Sequence, residues 1–441
     1  MAKYVITGRV PLRGKIALSG AKNAGFKAMI AALLADSPST ICGLGLVSEI
    51  DFAREAISAL GATAAVISDP HCLTIDPRPL SAFEIAGRIG AKSRSATMYA
   101  GPLLARFGRA VLPTPGGDKV GARPIDRHLE GLSALGVKTE FRNGCFFAVA
   151  PAGLRGATFR FAKNTHTGTE TMLMAAVLAR GETVLENAAA EPEVDDLITL
   201  LNSMGARIMR PSARTIRITG VKNLHGVSHT VMKDRLEAAT LASMILATRG
   251  DATVLGADPL VLTAFLEKLN EAAARWEKTA DGIRFWWVNP LTATKVTTGI
   301  YPGFMTDWQP VWTALMTQAK GESVVHETIY ESRFAHILDL QKMGGKFSFF
   351  NPPVENPDAV YNFNLADDRP ENFHAVRITG PSLLSGQQIE INDIRRGATL
   401  VLAGLAASGQ TTIIDPNNQI ARGYEDLVGR LNGLGAQIDC V

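Results

Sequence analysis

Asp118 stands in the stretch PTPGGDKVGARPIDRHLEG, residues 113–131, and is followed by Lys119, Arg123 and Arg127. Glycine and proline predict a mobile, solvent-facing loop there. A carboxyl group carried on such a loop among cations suits proton transfer to a bound anion. The plainer alternative is a solvated turn with a chance charge. Asp307, in YPGFMTDWQPVW, is the second candidate. A carboxylate beside Trp308 would have its pKa raised and could act as a base. The alternative is the N-cap of a helix opening at TDWQPVWTALM.

The cations recur in a pattern. SGAKNAGFKAM places Lys22 and Asn23 at the mouth of a predicted helix, a ready position for an anion. RIGAKSRSATMYAG offers Arg94, GARPIDRHL offers Arg123, and YESRFAHI offers Glu331 and Arg333. INDIRRGATLVLAG offers Asp393, Arg395 and Arg396, and QIARGYEDL offers Arg422. Most of these stand where the chain enters a helix. The guanidinium fork suits phosphate and carboxylate, so the implied ligands are small and multiply anionic. Pairing with a neighbouring acid is the alternative, and it fits Arg396 and Arg430 best.

The elements that must position these groups repeat. An apolar-periodic helix, a glycine and a β-rich run appear in AISALGATAAVI, GLSALGVKTEF, LLNSMGARIMR, DLQKMGGKFSFF and RLNGLGAQIDCV. The glycines, Gly61, Gly136, Gly205, Gly344 and Gly435, are expected as left-handed helix C-caps, with Asn270 in that place in FLEKLNEAAARWE. A second phrase, as in AAVLARGETVLE and LMTQAKGESVVHE, interleaves with the first. Each unit of roughly 65 to 90 residues thus carries two helices, each feeding a strand. Six such units predict an α/β protein of two domains with three units each. Their expected bounds are 22–232 for one domain and 1–21 with 233–441 for the other. The opening strand region, YVITGRVPLRGKIALSG, is expected to pair with the far end of the chain. Cationic helix starts then gather at one end of each domain, and two such ends facing each other would line a cleft.

Composition narrows the function. In 441 residues, 45 basic and 42 acidic side chains leave a net charge of +3, too balanced to predict nucleic-acid binding. Cys42, Cys72, Cys145 and Cys440 form no CxxC pair, so free thiols in a reducing cytoplasm are expected. The start, MAKYVITGRV, does not read as a signal peptide, and no apolar run reaches membrane-spanning length. A soluble cytoplasmic protein with no membrane partner is the expectation. The chain has no GxxxxGK[ST] loop, GLGLVSE is a mere fragment of GxGxxG, and the eight histidines show no metal spacing.

LSGAKNAGFKAMIAALLADSPSTI, PGGDKVGARPIDRHLEGLSALG, LENAAAEPEVDDLITLLNSMGARI, TDWQP, YESRFAHI and ARGYEDL together resemble the UDP-N-acetylglucosamine 1-carboxyvinyltransferase family of enolpyruvyl transferases. The match runs nearly end to end. It implies a two-domain inside-out α/β barrel of six βαβαββ-type repeats, with the active site between the domains. It further implies transfer of enolpyruvate from phosphoenolpyruvate to the sugar 3-hydroxyl of UDP-N-acetylglucosamine, the first committed step of peptidoglycan precursor synthesis, without metal or organic cofactor. Carried over by motif, Lys22, Asn23, Arg123, Arg395 and Arg422 contact phosphoenolpyruvate, and Lys22 also serves catalysis. Asn23, Arg94, Arg123, Pro124, Ile125, Asp126, Arg127, Ile329 and Arg333 serve the nucleotide sugar. Lys163, Thr165, His166 and Thr167 belong to its diphosphate loop, where the threonine hydroxyls and the backbone are the expected contacts. Asp307 takes the proton of the attacking hydroxyl. Asp118 falls where the family usually has a cysteine, although some members carry Asp. Met98, Arg127 and the loop KNTHTGTET depart from the family's pattern around the nucleotide, which leaves another uridine nucleotide such as UMP, or an inactive binding homologue, as alternatives.

Overall fold

The computed structural model describes every residue except 1, 91, 92, 115, 117–121, 123 and 392. Asp118 and Arg123 therefore lie outside the described residues. The chain divides into two compact units. One joins Met1–Ser19 to Lys233–Val441; the other joins Gly20–Gly117 to Pro124–Met232.

Among the described residues, each unit holds three sheets. The repeated pattern is clearest in the sheet that begins with Arg13–Ala17. That strand runs parallel to Asp251–Leu255, which pairs antiparallel with Gly282–Trp286, and Arg275–Lys278 completes the edge. Helices Arg235–Ala247 and Thr263–Glu271 make the connections, a βαβαββ unit. The 109–149 region has a three-stranded version, its first strand reduced to a bridge between Glu84 and Val111.

Apolar residues all round a helix require burial on every side. Arg235–Ala247 and Gln309–Met316 are buried along their whole lengths, and Ile394–Ala406 nearly so. These three pack on one another, and their unit's sheets alternate buried and exposed residues outside them. In the other unit His166–Ala176 is the most deeply buried helix and packs against Ala100–Phe107. Helices inside and sheets outside make each unit an inside-out α/β barrel.

The opening region is two strands. Ala2–Thr7 inserts between Gln410–Asp415 and Gln437–Cys440, antiparallel to both, so it pairs with the far end of the chain. The five repeat glycines have φ between 89° and 102°, the left-handed conformation glycine tolerates best. Asn270 does not take that place. Its helix runs on to Glu271, and Ala273 is the left-handed residue, at φ 58°. Asn270 instead accepts a hydrogen bond from Trp276 Nε1 at 2.8 Å, tying the helix to the next strand.

The cysteines also differ from expectation. Cys145 and Cys440 are free, but Cys42 and Cys72 form a disulfide. Strands Ser39–Cys42 and Leu73–Asp76 pair antiparallel with Ile41 opposite Leu73, which sets the two cysteines side by side. A separation of 30 residues carries no mark of that pairing in the sequence. Among the described residues, no helix is long and apolar enough to cross a membrane.

Candidate active site

In the unit of Gly20–Gly117 and Pro124–Met232, four helix starts are tied together by direct hydrogen bonds. The first belongs to Lys22–Ala31. Ala21 precedes it, its N–H bonded to Met232 O at 2.8 Å, and no side chain caps the helix. Gly20 is confined by Gly43 O, which any Cβ would meet at 1.5 Å. Lys22 and Asn23 are both partly exposed at this start.

Arg94 opens the 3-10 helix Arg94–Tyr99, which Ser93 caps by accepting from Ser95 N. Its guanidinium donates to Pro124 O at 3.2 Å, beside the start of helix Asp126–Ala134. There Ile125, Asp126 and Arg127 are partly exposed, and Arg127 donates to Asn164 O at 3.1 Å. Asn164 precedes helix His166–Ala176, whose N-cap is Thr165. Lys163 is partly exposed just ahead of it. Lys27, inside the first helix, closes the set by donating to Glu170 inside the last.

The threonine hydroxyls of this start also hold the fold together. Thr165 Oγ1 accepts from Gly168 N, and Thr167 Oγ1 lies 2.9 Å from His128 Nε2. As an acceptor from Gly168, the Thr165 hydroxyl keeps its O–H as a donor beside the first N–H groups of the helix. Burial, then the charges of Arg94 and Arg127, push the His128 imidazole down to about 3, so it is neutral. Met98, one of the departures from the family's pattern, is a fully buried core residue.

In the other unit Asp307 is not the cap of the helix that follows it. The Trp308 ring packs among Phe265, Phe304 and Trp312 in the core. Helix Gln309–Met316 begins two residues later without a side-chain cap. Asp307 Oδ1 accepts from Arg333 at 2.5 Å and lies 3.6 Å from Arg395 Nε. Its side chain is 25% exposed between the buried Arg333 and the partly buried Arg395. Burial opposes the charge on Arg333, but Asp307, Tyr330 and Glu327 outweigh it and raise its pKa.

Arg333 enters helix Ala335–Lys342, and Arg395 lies in the first turn of Ile394–Ala406, capped by Asp393. Arg395 also donates to the Tyr424 hydroxyl at 2.9 Å, which is 3.1 Å from Thr240 Oγ1. Arg422 stands near the end, not the start, of the short helix Gln419–Gly423. Ile329 is partly exposed on a loop fixed by the buried Glu327, which accepts from Ile329 N and from Thr306 Oγ1. Arg396 and Arg430 follow the alternative reading: they pair with Asp339 and Glu237 at 2.5 Å each.

Sequence reasoning passed over Lys27, Glu170 and His128. A single charge inside GFKAMIAALLA or TETMLMAAVLA was the available signal, since a charge on a buried helix must have a partner. Taken together, one unit presents cations and helix N–H groups at linked helix starts. The other presents a partly exposed carboxylate among guanidiniums. The first suits a phosphorylated ligand, and the second suits proton acceptance beside an anion.

Residues 6–431 match the family model described as EPSP synthase (3-phosphoshikimate 1-carboxyvinyltransferase). A UDP-N-acetylglucosamine 1-carboxyvinyltransferase of Koribacter versatilis is 40% identical over 440 residues, 99% of this chain and 96% of that protein. One from Caldanaerobacter subterraneus is 39% identical, covering 99% of each chain. Among solved structures, the enolpyruvyl transferase NikO from Streptomyces tendae superposes with a TM-score of 0.86 at 24% identity, over 100% of this chain and 99% of that one. EPSP synthase from Acinetobacter baumannii reaches 0.74 at 18% identity, over the whole of both chains. These two likenesses concern the fold.

Proposed function

The chain belongs to the UDP-N-acetylglucosamine 1-carboxyvinyltransferase family of enolpyruvyl transferases, and from that premise we propose that it moves the enolpyruvyl group of phosphoenolpyruvate onto the 3-hydroxyl of UDP-N-acetylglucosamine. The observation that carries this reading is Asp307, a partly exposed carboxylate fixed by Arg333 and Arg395.

In the proposed reaction the acceptor hydroxyl attacks C2 of phosphoenolpyruvate and gives its proton to Asp307. C3 gains a proton from Asp118, forming a tetrahedral phospho-ketal. Loss of that C3 proton and departure of phosphate yield the enolpyruvyl ether. Lys22, Asn23, Arg123, Arg395 and Arg422 hold the donor's phosphate and carboxylate. Arg94, Pro124 to Arg127, the Lys163 to Thr167 loop, Ile329 and Arg333 hold the acceptor. Charge stabilisation by fixed cations and helix N–H groups supplies the remainder of the catalysis.

A second reading, a uridine nucleotide without the sugar as acceptor, draws support from Arg127, which departs from the family's pattern and donates to Asn164 O at 3.1 Å beside the 165–167 loop. Phosphate release from phosphoenolpyruvate, measured with UDP-N-acetylglucosamine and with UMP, separates the two. Release with the nucleotide sugar is expected; release with UMP alone overturns the main reading, and release with neither leaves an inactive binding homologue.

A further inference from the structure

Lys27 and Glu170 are charged residues buried inside two apolar helices, 2% and 0% exposed, with Nζ and Oε1 2.7 Å apart. His166 Nε2 lies 3.1 Å from both of those atoms. Taking two charges out of water is costly, and an apolar pair of similar volume often serves stability as well. Among the described residues Glu170 Oε2 has no hydrogen-bond partner, so the pair is not optimised for stability alone.

One ring nitrogen cannot serve both neighbours at once. In the neutral ring with its proton on Nδ1, Nε2 accepts from Lys27. In the protonated ring, Nε2–H donates to Glu170. Burial, the largest influence, opposes the charged ring, and Lys27 opposes it too. Glu170, by charge and hydrogen bond, and Glu191, by charge, favour it, and the balance lifts the imidazole above its ordinary value. Glu191 is the N-cap residue of Pro192–Ser203 and also interacts with Arg214. Nε2 faces the buried pair, and 23% of the His166 side chain is exposed.

We propose that Lys27 and Glu170 are positioning residues which, through His166, join the helix start bearing Lys22 and Asn23 to the one bearing Thr165 to Thr167 and make anionic acceptor binding there proton-linked. This rests on the proposed reading that the acceptor's phosphates lie at residues 163–167. With the ring protonated, Nδ1–H adds a full positive charge beside the His166 backbone N–H. With the ring neutral, that charge is gone and a phosphate keeps only the helix N–H groups. Acceptor affinity therefore falls as pH rises through the His166 transition, while affinity for phosphoenolpyruvate does not follow it.

The test follows the His166 imidazole by NMR and the KM of each substrate between pH 6 and 9. In the wild type His166 should titrate above the ordinary histidine value, and the acceptor KM should rise several-fold across that transition. Glu170→Gln should lower the transition, and His166→Asn should flatten the acceptor profile. Because Lys27→Met alone strands a buried carboxylate, Lys27→Met/Glu170→Gln removes both charges and keeps the fold testable. It should retain wild-type thermal stability to within a few degrees yet lose the pH dependence. A double variant with the wild-type profile makes the pair purely structural and overturns the proposal, as does a His166→Asn profile like the wild type's. If UDP-N-acetylglucosamine does not bind, UMP binding by calorimetry replaces it. Proton-linked UMP binding then upholds the cluster while the sugar-nucleotide reading fails, and absence of binding by both ligands overturns the two together.

Discussion

His336 Nε2 lies 2.7 Å from the Thr313 hydroxyl inside one unit. His128 and Thr167 repeat this at 2.9 Å in the other. In both cases a histidine near the start of a repeat's second helix meets a threonine of a central helix. Burial comes first among the causes that push both imidazoles down to about 3, and nearby arginines add to it.

That pair predicts acid sensitivity. Between about 3 and the ordinary value near 6.5, the unfolded chain binds a proton at each histidine that the folded chain does not. Stability therefore falls as pH drops below about 6.5, by on the order of 1.4 kcal/mol per pH unit per histidine well below it. Urea denaturation at pH 7 and pH 5 measures this, and His336→Gln should reduce the slope. An unchanged slope in that variant would remove His336 from the account.

Asp307→Asn should lower turnover on the order of a hundredfold, because the amide cannot take a proton. Stability should also fall, by about 1–3 kcal/mol, because Arg333 and Arg395 lose the charge of their shared partner. Phosphate-release kinetics beside a denaturation curve test both halves. A fully active variant excludes Asp307 as the base, and unchanged stability shows that the ion pairs contribute little.

Arg395 touches Asp307 and Tyr424 from one guanidinium, a geometry that a lysine ammonium cannot copy. Arg395→Lys should raise the KM for phosphoenolpyruvate about tenfold or more and leave the acceptor KM within about twofold. An equal rise in both constants would show a general disturbance instead of a donor contact.

Asp118 yields a prediction from chemistry alone. A carboxylate is a weak nucleophile toward epoxides, so fosfomycin should not inactivate the wild type. Asp118→Cys should keep turnover and become alkylated once, at residue 118. Asp118→Asn should lose most activity, since it can deliver no proton. Mass spectrometry after fosfomycin treatment decides, and an adduct on wild-type Asp118 would contradict the assignment.

What could be read from the sequence was local. Gly61 or Gly435 ends a helix by its own backbone preference, whereas Arg396 and Arg430 find their acids, Asp339 and Glu237, only in the folded chain. What escaped depends on partners far away in the chain. Lys27 meets Glu170 across 143 residues, and Cys42 meets Cys72 only because two strands pair. Asp307 was placed beside the correct neighbour, Trp308, but that ring turns into the core and two distant arginines take its place. Ala273 in the left-handed region shows a helix prolonged past the residue best suited to end it.

The insertion of Ala2–Thr7 between Gln410–Asp415 and Gln437–Cys440 bears on how the chain is made. A ribosome releases the first strand long before either neighbour exists, whereas residues 20–232 emerge as one continuous stretch. At typical elongation rates the wait is on the order of tens of seconds. The earliest-made strand thus belongs to the last-finished unit and must spend that interval as an unpaired edge, open to wrong partners. A translation product stopped before residue 410 would carry residues 20–232 whole and leave the Ala2–Thr7 strand permanently without its partners.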